Sequence, residues 1–109
     1  MSFNVNETAA AMLAVMKGEF TEGWEDVRNY AKSEAKKFAE TGKLIVEGRL
    51  DGSINKQQAR ILVEMQKNSA RAVLTAIVTI SAIAAQAAIN AAIGVLKTAV
   101  NTAVGFAIL

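Results

Sequence analysis

The chain has 109 residues, 12 basic and 10 acidic side chains and a net charge of +2, which is enough for one domain. It contains no proline, cysteine or histidine. That composition excludes disulfides, thiolate ligands and imidazole chemistry, and it removes the commonest helix breaker.

The opening residues, MSFNVNETAAAM, lack a basic region and place Glu7 ahead of the first apolar run. A secretory leader is therefore not expected, and the default location is the cytoplasm or a particle assembled there. Asn6 or Thr8 is expected to cap a short helix over residues 9–17, with Met12, Leu13, Val15 and Met16 as its apolar face. Gly18 should end it. Thr21 is the expected cap of a second helix, and Glu22, Glu25 and Asp26 fall where the helix dipole favours acids. Trp24, Val27, Ala31, Ala35, Phe38, Gly42 and Ile45 then recur at three-four spacing, which marks one buried stripe. Trp24, Tyr30 and Phe38 could line a ligand box, but aromatic residues at helical spacing read as core, and Trp24, Val27 and Phe38 are expected to pack there.

Residues 48–52 interrupt the pattern. Asp51-Gly52 supplies a turn and Ser53 a cap for the next helix, giving a helical hairpin with its corner near residue 51. The corner superficially matches a calcium loop, but that register puts Arg49 at the third ligand position and Gln58 at the twelfth. Neither suits calcium, so no metal is expected.

From residue 53 to 109 there is no proline, and after Arg71 the only charged side chain is Lys97. This stretch predicts one very long, alanine-rich helix of about 80 Å at 1.5 Å per residue. Its polar residues Glu64, Asn68, Thr75, Thr79, Gln86, Asn90, Lys97 and Asn101 alternate spacings of four and seven, an eleven-residue period. Residues 86–96 (QAAINAAIGVL) and 97–107 (KTAVNTAVGFA) also match as sequence, with Asn90 over Asn101 and Gly94 over Gly105. Apolar residues, including Ile77, Val78, Ile80, Ile89 and Ile93, surround the polar stripe. Such a helix must be buried on several sides, and the first half of the chain offers about one face.

The expected architecture is thus all-α: a short N-terminal helix, then a hairpin whose second arm is one very long helix, packed in a multi-subunit bundle. Residues 1–52 form an amphipathic helical region and 53–109 an oligomerisation helix. Gln86, Asn90, Gly94, Lys97, Asn101 and Gly105 are the candidate register and contact residues, because buried amides fix partner number and glycines permit close approach. Ile77, Ile80, Ile89 and Ile93 are expected to pack in the core.

The functional expectation is a non-enzymatic structural subunit of a homo-oligomer or larger particle, with a phage-like virion, tail or baseplate component as the specific setting. No nucleic acid is expected as partner, since the charges mix in sign, and no cofactor. Paired carboxylates at Glu22, Glu25 and Asp26 sit where an ordinary first turn puts them, so no enzyme is expected. The alternative is a membrane-active protein, a pore former, holin-like protein or anchor, that inserts the uncharged stretch 72–96. Its amides Gln86 and Asn90 and the lack of flanking aromatic residues make lipid the second choice.

Overall fold

The computed structural model describes residues 3–20, 22–77, 79–105 and 108–109, and in them the chain forms four helices. The expected cap Thr21, the apolar Val78 and positions 106–107 of the second repeat lie outside the described residues.

Helix α1 (Val5–Glu19) starts earlier than the sequence suggested, because Asn4 and not Asn6 or Thr8 is its cap. The Asn4 side chain accepts the Glu7 N–H at 2.8 Å, and Glu7 and Lys17 complement the helix dipole at either end. Thr8, Met12 and Met16, four residues apart, form its buried face. Helix α2 (Trp24–Asp51) runs 28 residues between two left-handed glycines, Gly23 (φ 78°) and Gly52 (φ 84°). Both positions need glycine because an L side chain there is strained. The stripe read from the sequence is buried: Val27, Ala31, Ala35, Phe38, Gly42 and Ile45.

At the corner, Asp51 accepts the Ser53 N–H at 2.8 Å. Ser53 does not cap the next helix. Asn55 does, in a reciprocal capping box with Gln58: each side chain accepts the other's backbone N–H, at 2.8 and 2.9 Å. The hydrogen bonds from Ser53 hold the Asp51 carboxyl below the ordinary aspartate range. The turn is therefore strengthened above that range and loses this support as pH falls through the lowered pKa. In an NMR acid titration the Ser53 amide is expected to shift with a midpoint below the ordinary aspartate value. A midpoint at or above that value would mean that the bond does not form.

Helix α3 (Lys56–Thr75) buries Ala59, Val63, Ala70 and Leu74. It then stops. The single long helix expected over 53–109 is not formed: α3 ends at Thr75, and α4 (Ala82–Val104) is a separate helix. The fold is an all-α, compact four-helix bundle within one chain, not a hairpin with one very long arm. The cause is local. Thr75, the last residue of α3, donates its hydroxyl to the Arg71 carbonyl (2.6 Å). The β-branched residues Thr75, Ile77, Val78, Thr79 and Ile80 are weak helix formers. Ser81 then accepts the Ala84 N–H at 3.0 Å and starts α4 afresh. The turn is tied down by Thr79, which donates to Asp26 at 3.0 Å, and by Ile80, which is buried beside Gly23.

Helices α2 and α4 touch each other and both remaining helices, whereas α1 and α3 share no contact among the described residues. The core lies along the α2–α4 diagonal and includes Phe38, Met12, Met16, Ile45, Leu74, Ile89 and Leu96, all fully buried. Beyond α4, Gly105 turns the chain in a left-handed conformation (φ 84°) and Ile108 folds back into the core.

Candidate interaction surface

The expected register residues all lie in α4 or at its end. The Gln86 side chain donates to Asn90 at 3.1 Å, so the two amides satisfy each other one turn apart. Asn90, Gly94 and Lys97 are exposed to solvent, and Gln86 is half-buried. Asn101 is used differently. Its side-chain oxygen accepts the N–H groups of Ile108 and Leu109 at 2.9 and 3.0 Å. It thus closes the segment after α4, and Gly105 makes the turn that this requires. Lys97 lines a groove of about 350 Å³ between α3 and α4 with Arg60, Glu64 and Lys67. Glu64 therefore provides an acid of the same chain on the groove that Lys97 enters. Of the expected core residues, Val27, Phe38, Ile80 and Ile89 are buried, while Trp24, Ile77 and Ile93 are partly buried against the core. Trp24 stacks on Phe20 with ring centroids 6.1 Å apart, and Lys17 sits 6.0 Å over its ring.

The outward side of α4 carries one charge and mixes the exposed apolar Ala82 and Ile83 with the exposed Asn90, Lys97, Thr98 and Thr102. The helix has 23 residues and a mean hydropathy of 1.5 in its most apolar window, yet only 33 % of that window is buried inside the bundle. Ile83, at its start, is 84 % exposed. Ala87, Ala91 and Val95 add half-buried small or branched apolar residues along the helix. The uncharged stretch 72–96 is not itself one helix, because α3 ends at Thr75 and α4 begins at Ala82. The charges gather elsewhere: α2 holds twelve of the 22 charged side chains and α4 only Lys97.

The carboxylates considered in the sequence do not form a site. Glu25 and Asp26 are exposed in the first turn of α2, and Asp26 holds Thr79. Among the described residues no three His, Cys, Asp or Glu side chains gather as metal ligands would. One carboxylate was missed. Glu34 of α2 is buried to 1 % exposure, accepting Lys37 Nζ at 3.2 Å and Gln66 Nε2 of α3 at 3.3 Å. The available signal was its place inside the stripe, three residues after Ala31 and four before Phe38. Both oxygens are occupied by neighbours, so its role is to fasten α2 to α3. No family model matches this sequence, and comparison with curated proteins and with solved structures finds no match.

Proposed function

We propose that this chain is a non-enzymatic structural subunit that joins a larger assembly through the outward face of α4. The observation that carries this reading is a helix with one charge whose apolar window is only 33 % buried by its own chain. Exposed apolar area is unfavourable by about 25 cal/mol per Å², and Ile83 with the half-buried Ala87, Ala91 and Val95 would be covered further by a second protein surface. Ala87, Ala91 and Gly94 suit close approach of a neighbouring helix, and the paired Gln86 and Asn90 give that contact a polar register mark. A phage or phage-like particle is the setting we assign, from the small size, the helicity and the eleven-residue repeat.

Light scattering on the detergent-free protein tests the reading. A mass that is a multiple of 11.5 kDa is expected, and a monomer at every concentration overturns it. Gly94 sharpens the test. It lies inside α4, and an added Cβ there meets nothing within 4 Å. Gly94→Ala is expected to stabilise the isolated bundle by about 0.8–1.0 kcal/mol through helix propensity. The same methyl should weaken the assembly if a helix packs over Gly94. Unchanged assembly in that variant removes Gly94 from the contact.

The second reading is membrane insertion of α4. Its 23 residues are long and apolar enough to cross a bilayer. Flotation of the protein with liposomes separates the two: a chain that stays with the aqueous fraction rejects insertion.

A further inference from the structure

A second surface, with no α4 residue in it, has a different chemistry. Between α1 and α2 runs a groove of about 580 Å³, floored by Ala9, Ala10 and Leu13 and walled by Asn29, Lys32 and Lys36. No acid lines it among the described residues. It continues past Ala10 and Leu13 into a second hollow that adds Lys17, Trp24 and Arg28, with Glu25 as its one acid. Arg28, Lys32 and Lys36 stand four residues apart, so three cations rise one turn at a time along one wall. The ion pairs of α2 involve other lysines: Lys37 with Glu34 at 3.2 Å and Lys43 with Glu47 at 3.8 Å. Among the described residues Lys32 and Lys36 have no carboxylate partner.

We infer that this groove docks an acidic amphipathic helix of a partner protein. Carboxylates one turn apart on that helix meet Arg28, Lys32 and Lys36, and its small apolar face lies on Ala9, Ala10 and Leu13. Three features select this occupant. The cation spacing repeats at the helical pitch, which a helix with glutamates four apart matches residue for residue. The alanine floor lets a helix approach closely, where larger side chains would hold it off. The surface is also concave, and a bilayer offers a flat face that reaches protruding side chains better than a recessed floor. The inference does not depend on α4 being an assembly face, because no α4 residue lines the groove.

The probe is a fluorescein-labelled synthetic alanine–leucine helix bearing three glutamates four residues apart, titrated with the full chain and followed by anisotropy. Saturable binding that weakens with salt is expected. The Lys32→Glu/Lys36→Glu double variant should bind at least about tenfold more weakly, with an unchanged circular dichroism spectrum and melting temperature, since both side chains are exposed. The milder Lys32→Gln/Lys36→Gln pair should show the same direction and serves if charge reversal disturbs folding. Ala10→Leu, which fills the floor and leaves every charge, should also weaken binding. Absence of saturable binding overturns the inference, as does binding that the lysine variants leave intact. Equal binding of a control helix with lysine in place of glutamate overturns it too. If vesicles of phosphatidylglycerol and phosphatidylcholine bind through Lys32 and Lys36 while the peptide does not, the occupant is a lipid surface and the protein partner is rejected.

Discussion

Replacing Phe38 by alanine is expected to destabilise the bundle by about 3–5 kcal/mol. Among the described residues Phe38 is the largest fully buried side chain, and it lies within α2, which packs on all three other helices. Deleting the ring removes its transfer free energy and leaves a cavity that neighbouring helices fill only partly. A domain of 109 residues has a stability of roughly 5–15 kcal/mol, so this single change removes a large share. The melting temperature should fall by roughly 15–30 °C. In urea the midpoint should drop while the slope with denaturant stays the same. Tyr30 is the control. It sits on the same helix but is 52 % exposed, and Tyr30→Ala should change stability by no more than about 0.5 kcal/mol. Equal losses from the two variants would contradict the packing described for α2.

Gly48→Ala is expected to destabilise, against the usual trend for a glycine inside a helix. Helix propensity alone predicts a gain of about 1 kcal/mol. Here the new Cβ would stand 2.9 Å from the Ile54 Cβ, with the Cγ1 and Cδ1 of that side chain closer still. Ile54 cannot simply retreat, because its N–H donates to the Gly48 carbonyl at 3.0 Å. Overpacking of this kind costs about 1–3 kcal/mol, so after the propensity gain the net loss should be up to about 2 kcal/mol. Ile54→Ala in the same chain removes the outer atoms and should recover part of it. A double-mutant cycle is then expected to show coupling of at least about 0.5 kcal/mol. Strict additivity would show that the two residues do not obstruct each other. Gly18 gives the contrast: nothing lies within 4 Å of a Cβ there, and Gly18→Ala should raise stability.

These two positions also show how far the sequence is legible. Phe38 was readable as core because a three-four apolar stripe has one buried face whatever it packs on. The corner near residue 51 was readable because Asp-Gly is turn chemistry. The break at 76–81 was not, because it uses neither proline nor glycine. Its signals were weaker: a run of β-branched residues followed by Ser81, without the glutamate or glutamine that would complete a capping box at Ala84. The eleven-residue polar spacing continues through the break, so periodicity argued for continuity where Thr79 donating to Asp26 and Ser81 accepting the Ala84 N–H decided otherwise. The α1–α2 groove was equally hidden. The ladder of Arg28, Lys32 and Lys36 is visible in the sequence, but Ala9, Ala10 and Leu13 join it only when α1 folds back.

The α2–α4 diagonal has a consequence for the order of events during synthesis. Helix α4 follows the other three in the chain and touches all of them, while α1 and α3 share no contact among the described residues. Leu96 of α4 covers α2 at Gly42, where an added Cβ would lie 2.7 Å from its Cδ1. A nascent chain that has released only α1, α2 and α3 from the ribosome therefore lacks a lid over α2 and cannot close its interior. Such a chain presents apolar side chains to chaperones and to its neighbours on the same polysome. Full burial of the α2 face therefore requires α4, the last of the four helices to be made.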